Sequence, residues 1–488
     1  MTAAGPLRRL AVSVASVALA GVGVAGLGPA DGRAFPHPVP TADCGPGARP
    51  ETDVQGRVPA EDFESGRAAR GYRCNTRPVG HLDGTGGFKV LRYVDARGRE
   101  CAYYDASQIL PVAPPFQVTG ASSGQGVRVV DMSDPAEPVV TTSITTPTML
   151  SPHESLLVNE RRGLLAAVMG NAYSSAGVLE VYDIDTDCRE PVLLSRTQSA
   201  TLGHESGWTR DGLTFYAASS GGQTFTAIDL TDPTAPVQLF EQYNVNYHGM
   251  RLSPDGRTLY AAHIGNDLTA VQLPGEGLRI LDVSEIQDRV ENPSVTVLSN
   301  LTWPEGSIPQ VAEPFRRAGR DYLFQVDEFS TVGLNGTSVD PADYTVGAAR
   351  IIDVTDPRRP RVVSSVRLQV HQPAERRAAA GDPGASSPVG GYTGHYCSVP
   401  TRRSPRLAAC SMIASGLRVF DISDVRRPRE VAYFNMPVAP GTEAADSGGA
   451  SAYSQPAWDL EGRSIWYSDE TSGFWAVRLT NGVQRLLR

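Results

Sequence analysis

One short sentence of sequence recurs along this chain and limits what it can fold into. From Gly416 it reads GLRVFDISDVRRPREVAYFN: a strand over Leu417 to Ile422, a polar turn over Ser423 to Pro428, and a second strand over Arg429 to Phe434. Related copies start at Gly126 (GVRVVDMSDPAEPVVTTSI), Gly177 (GVLEVYDIDTDCREPVLLSRT), Phe225 (FTAIDLTDPTAPVQLFEQ), Leu278 (LRILDVSEI) and Ala349 (ARIIDVTDPRRPRVVSSVRL). A degenerate copy, FWAVRLTNGVQRLL, starts at Phe474. A repeat of this length signals a stacked or circular array.

Each copy has an upstream half. YHGMRLSPDGRTLYAA from Tyr247, GHESGWTRDGLTFYAA from Gly203 and SQPAWDLEGRSIWYSD from Ser454 each place a tight turn ending in Gly between two apolar runs. Glycine there supplies the positive φ that a hairpin turn needs. The unit is therefore four antiparallel strands, a to d, which is a propeller blade. Seven such units start near residues 88, 152, 203, 247, 307, 394 and 454. The fold expected is all-β: a seven-bladed β-propeller of four-stranded antiparallel blades. The last blade has a poor strand d. The stretch NTRPVGHL, 75–82, is a strand without a blade, and it would close the ring from the N-terminal side.

The motifs VFDISD, IIDVTD and VVDMSD, each followed by a short turn and a Pro-containing strand, resemble LVIVD-repeat secreted β-propellers. The stretches SPHESLLVNERRGLLAAV, GAARIIDVTDP, VHQPAERRAAAGDPGA and GYTGHYCSVP look like an actinobacterial branch of that family. The resemblance covers roughly residues 70–488. It implies the fold and export, and it carries no assigned biochemical activity.

Antiparallel connectivity sorts the loops. The a–b and c–d turns share one end of the ring, and here they are short. The long insertions, 264–277, 329–347, 372–393 and 436–453, are b–c and d–a connections and share the other end. Long loops on a rigid scaffold carry binding and catalysis. A ligand or partner site is therefore expected at the axial mouth on that end.

The histidines point to the same place. The chain has eight, and His153, His204, His248 and His395 each begin a strand a. His204 and His248 both stand eight residues before a turn glycine, so their positions are equivalent. Strand a is innermost, so four imidazoles would converge on the axis. Alternation would turn Ser155, Ser206 and Cys397 the same way, and Glu154 and Glu205 off-axis as partners of neighbouring rings. Gln310, and Ser454 or Gln455, occupy similar places in blades five and seven. His371 enters a long loop and is a further candidate. Imidazole clusters suit Cu, Fe or Zn, so the four axial histidines are the candidate metal ligands.

Two functions follow as expectations. The first is a binding or interaction module that takes a protein or small-molecule partner at the mouth. The alternative is a metal-dependent oxidoreductase, with Cu or Fe, using the axial histidines. Contiguous His-Glu-Ser cannot form a catalytic triad within one strand, and no HExxH or phosphate-binding loop is present. The repeat carboxylates Asp131, Asp183, Asp229, Asp282, Asp353 and Asp421 precede c–d turns and read as turn-formers.

The chain has 488 residues, 20% charged and 41% hydrophobic, with a net charge of −9. That balance argues against nucleic-acid binding. A monomer is expected. Arg8 and Arg9 before the apolar run Leu10–Leu27, with small residues at Ala30 and Ala34, read as a signal peptide over 1–34, hence a secreted or cell-surface protein. Residues 35–72, rich in Pro and Gly, read as a loosely ordered extension, and 73–488 as the propeller. Export permits disulfides among the six cysteines. Cys397 and Cys410 flank a short hairpin, and Cys74 and Cys101 flank a hairpin-like stretch, but spacing does not fix the pairing.

Overall fold

A computed structural model describes residues 35–106, 125–170, 177–219, 222–264, 277–329, 345–386 and 390–487. The expected signal peptide and most of the b–c insertions 264–277 and 329–347 lie outside these residues. Seven antiparallel sheets of the expected order a-b-c-d are present. Their inner strands are Val90–Val94, Leu157–Asn159, Ser206–Trp208, Tyr247–Leu252, Ile308–Arg317, Tyr396–Ser398 and Ala457–Asp459. Neighbouring inner strands pack on one another around the axis.

Strands b and c are enclosed between blades on both faces, so they read as unbroken apolar runs such as LLAAV, FYAAS and LAACS. Paired alanines in these strands, including Ala217–Ala218 and Ala261–Ala262, are fully buried. Large side chains from neighbouring sheets fill the space beside them: Tyr216 and Phe225 of blade three meet Tyr247, Met250 and Leu259 of blade four. The core is thus a series of interfaces between blades. Outer strands alternate, leaving Val139, Val192 and Val237 exposed.

The repeat aspartates are turn-formers, as expected. Oδ1 of Asp131, Asp183, Asp229, Asp282, Asp353 and Asp421 each accepts the backbone N–H two residues on, at 2.8–3.1 Å. In several copies the second aspartate does the same, as Asp232 does for Thr234 and Asp424 for Arg426. Asp353 is held down at about 2: burial raises it, but the Thr355 hydroxyl and amide and the guanidinium groups of Arg320 and Arg361 outweigh that. A carboxylate lowered on folding stabilises above its unfolded pKa, and that stability is lost as pH falls through the folded value. The melting temperature is therefore expected to fall between about pH 4 and pH 2, and Asp353→Asn should flatten that slope. An unchanged slope would show that the turn network does not depend on this charge.

The ring closes as the sequence indicated. Thr76–Leu82 is the outer strand of blade seven, pairing with Gly473–Leu479 from Thr76↔Leu479 to Leu82↔Phe474. His81 stacks on Trp475 with ring centroids 3.7 Å apart.

Residues 35–72 depart from the expectation of loose order. They pack on blade six, and Tyr72–Cys74 adds a fifth strand to it, with Tyr72 opposite Asn435. Ala60–Glu64 is a short helix, and Val58 exchanges hydrogen bonds with the Tyr392 hydroxyl. The fully buried Arg418 of blade six ion-pairs with Glu51 of this segment. The segment has no apolar period; it docks through backbone and charged groups together with scattered apolar side chains, Val39, Val58, Ala68 and Tyr72.

All six cysteines pair, as Cys44–Cys74, Cys101–Cys188 and Cys397–Cys410. The last is the hairpin pair; Cys74 and Cys101 bond elsewhere. Three disulfides fit an oxidising, extracellular environment. No described helix is long and apolar enough to cross a membrane. Cys101–Cys188 spans 87 residues and staples blade one to blade two. Closing so long a loop restricts the unfolded chain, so Cys101→Ser/Cys188→Ser should cost about 2–4 kcal/mol, read from the denaturant midpoint. No loss would place the blade contacts, not the staple, in control.

Candidate metal centre

Antiparallel pairing puts the start of each strand a beside the end of its strand b; Ile308 faces Glu328 in blade five. Side chains from both places meet at one end of the axis. His204 and His248 lie with ring centroids 4.2 Å apart and Nε2 atoms 2.9 Å apart. The His153 ring is 4.3 Å from that of His204. His395 joins them through two carboxylates: its Nε2 is 2.9 Å from Glu328 Oε2 and 3.4 Å from Glu154 Oε1. Glu154 Oε2 is 3.2 Å from His204 Nε2, and Glu328 Oε1 is 2.9 Å from His248 Nε2.

Glu328 is a residue that sequence reading missed. It ends a strand b, immediately before a long insertion, in the run YLFQVDEF. Two acids closing an apolar strand at the loop-rich end were the available signal.

Glu154 corrects the expectation that it points off-axis. Alternation holds only in extended chain. His153 has φ 49°, and the strand of blade two begins only at Leu157. The turn carries Glu154 into the histidine cluster. Ser155 is instead a turn residue, donating to Pro152 O and Val168 O, and Cys397 is held in its disulfide.

Gln310 also reaches the centre, donating from Nε2 to Glu154 Oε1 at 2.5 Å. Gln455 lies in the adjoining polar cluster. Its Oε1 accepts from Lys89 Nζ at 3.1 Å and Arg251 Nη2 at 3.3 Å. That cluster is built on Glu205, which binds Lys89, Arg251 Nη1 at 2.5 Å and the Tyr396 hydroxyl. Lys89, the chain's sole lysine, is fully buried. Burial lowers its pKa, against the pull of Glu205. His371 is placed apart from both clusters. It is fully buried, its Nδ1 accepts from Leu368 N at 3.2 Å, and its carbonyl takes Arg376 Nη1.

The electrostatics of the centre are those of a buried cluster short of cations. Burial lowers His248, but Glu328 and Glu154 outweigh it and raise the ring to about 9. Burial raises Glu328, and His248 and His395 outweigh that and hold it well below the carboxylate range. Burial pushes His153 down to about 3 and His204 well below its usual value.

His395 Nδ1 meets the Tyr453 carbonyl at 2.6 Å. A carbonyl only accepts, so Nδ1 carries a proton, and Nε2 is the ring atom turned toward the two carboxylates. Histidines that bind metal are held in this way. His395 Nε2, His248 Nδ1 and Glu154 Oε2 are all buried without a hydrogen-bond partner.

Spacing also fits an ion. Two donors, each about 2.1 Å from one metal and set at tetrahedral or octahedral angles, stand about 3.0–3.4 Å apart. Four of the nitrogen–oxygen separations run from 2.9 to 3.4 Å, and His248 Nδ1 stands 3.7 Å from Glu154 Oε2. An aromatic collar of Phe88, Phe329 and Tyr453 packs around the His395 ring at 5.1–5.7 Å. Phe329, like His153, has a left-handed backbone, with φ 57°. Such strain in a bulky residue gathers at functional sites.

No family model matches the chain, and no curated protein does. Solved structures are similar at low identity. Hydrazine synthase of Kuenenia stuttgartiensis is 13% identical over 80% of this chain and 94% of that one, with a TM-score of 0.49. A chain of the mitotic checkpoint complex is 11% identical over 83% and 92%, at 0.48. A putative 6-phosphogluconolactonase from Bacteroides fragilis is 11% identical over 72% and 89%, at 0.44. At these values no activity passes from them to this chain.

Proposed function

We propose that this chain is an exported propeller that binds a small molecule through a transition-metal ion at the axial mouth. The observation that carries this reading is His395 Nε2 turned between Glu154 and Glu328 and buried without a hydrogen-bond partner, as Glu154 Oε2 also is. Buried polar atoms without hydrogen-bond partners call for a compensating group, and a cation held between imidazole and carboxylate supplies one. The site is of the open kind. His153 and His204 are partly exposed, while Glu154, Glu328, His248 and His395 are buried. Catalytic metal sites keep such an open side, whereas structural ones are closed.

Imidazole with carboxylate is the donor set of Fe, Mn or Zn, and the centre has no sulfur donor to favour Cu(I). The ion would supply Lewis-acid activation or one-electron chemistry to whatever enters the mouth. The two cations beside the centre, Lys89 and Arg251, are both engaged by Glu205. The ligand is therefore expected to be held by the ion and the aromatic collar rather than by a free positive charge. The repeat motif further supports a place among LVIVD-repeat exported propellers of actinobacterial type. The three disulfides support secretion or surface display.

The test is metal content by mass spectrometry, on protein recovered from an exporting host without chelators. At least about one equivalent of Fe, Mn or Zn per chain is expected. A folded, metal-free protein that also fails to take up these ions after dialysis sinks the reading. It would leave the cluster as a buried ion-pair network centred on the His248 imidazolium.

A further inference from the structure

We propose that the axial centre holds a pair of divalent ions, with Glu154 as the carboxylate shared between them. This rests on the metal reading above and goes beyond it. The donors fall into two compact sets. His153, Glu154 and His204 form one, and Glu154, Glu328 and His395 form the other; in each, the donor atoms lie within 4.8 Å of one another. Glu154 alone belongs to both.

Its two oxygens are divided between them. Oε2 faces the outer set, 3.2 Å from His204 Nε2. Oε1 faces the inner set, 3.4 Å from His395 Nε2. This is the arrangement of a bridging carboxylate. Gln310 fixes its rotation by donating to Oε1 at 2.5 Å, leaving Oε2 buried with no hydrogen-bond partner.

The sets also differ in depth. The outer one contains the partly exposed His153 and His204, and the inner one the buried Glu328 and His395. His248 Nε2 stands between them, 2.9 Å from both His204 Nε2 and Glu328 Oε1. Six donor side chains suffice for one octahedral ion, but their division into two sets that share only Glu154 favours two. Two ions about 3.5–4 Å apart, the usual spacing of two-metal sites, use them all. Imidazole and carboxylate donors suit Mn(II) and Fe(II), and Mn(II) is the practical probe because paired ions change its spin-resonance spectrum.

The experiment uses the full exported chain, stripped with chelator and reloaded with Mn(II). Bound metal is counted, and the electron spin resonance spectrum is recorded. The wild type is expected to saturate near two ions per chain, about 3.5–4 Å apart and spin-coupled. His153→Ala should fall to about half the wild-type metal content and show the signal of an isolated ion. Glu154→Gln should lose the coupling. Circular dichroism melting curves confirm that each variant is folded. Should Glu154→Gln fail to fold, His153→Ala, at the rim, still carries the test. A wild type that saturates with a single uncoupled ion overturns the pair and leaves the metal reading standing. A wild type that binds none overturns both. Coupling that survives in Glu154→Gln overturns the bridging role.

Discussion

Chelator-stripped protein is expected to melt below metal-loaded protein, and His204→Ala/His248→Ala is expected to show no such gap. An ion that binds the folded chain alone stabilises it by about 4 kcal/mol at a thousandfold excess over its dissociation constant. For a chain this long, whose unfolding entropy scales with residue number, that is a shift of about 4 °C. The double change removes a ring contacting Glu154 and one contacting Glu328. Loss of a residue that merely orients a ligand lowers affinity about 10- to 100-fold, so loss of two ligands should abolish binding at micromolar metal. The variant also loses the His248 imidazolium, which in the ion-free centre lies beside both buried carboxylates. It should therefore melt no higher than the stripped wild type. Equal melting of stripped and loaded wild type would remove the ion from any role in the fold. Retention of the full gap in the variant would place the ion elsewhere.

Arg418→Met is expected to cost about 3–5 kcal/mol, because it leaves buried carboxylates without their cation. Arg418 is fully buried on strand c of blade six. It donates to Glu430 Oε1 at 3.0 Å and to Ser415 O at 2.8 Å, pairs with Glu51, and stacks over Tyr433 at 4.7 Å. Glu51 belongs to the segment that packs on this blade. The loss should therefore show twice: as a lower denaturant midpoint and as faster proteolysis within residues 35–72. Arg418→Met/Glu430→Gln should recover part of the stability by removing one stranded charge. A loss below about 1 kcal/mol would assign the docking of this segment to its backbone bonds and the Cys44–Cys74 disulfide.

Much of the fold was legible because its signals are local. The Asp that accepts an amide two residues on, the glycine at a hairpin turn and the apolar runs of strands b and c all act within a few residues. The equivalence of His204 and His248 was legible for the same reason, since a fixed offset from a turn glycine gives a fixed place in a blade. Glu154 was misplaced because alternation fails at the left-handed His153. Glu328 was missed because its partners lie on blades two, four and six. Residues 35–72 looked unstructured because their partners, among them Glu430 and Arg418, come more than three hundred residues later.

The sequence by itself determined the seven-blade repeat, the closing strand and the end of the ring at which the histidines lie, at or just before their strands. These are properties of single blades and their connections, where a few neighbouring residues set the backbone. Only the tertiary structure decided that His153, His204, His248 and His395 share one site with Glu154 and Glu328. A ring brings distant blades to one axis, and donor spacing of 2.9–3.4 Å depends on how the blades close. No local rule carries that information.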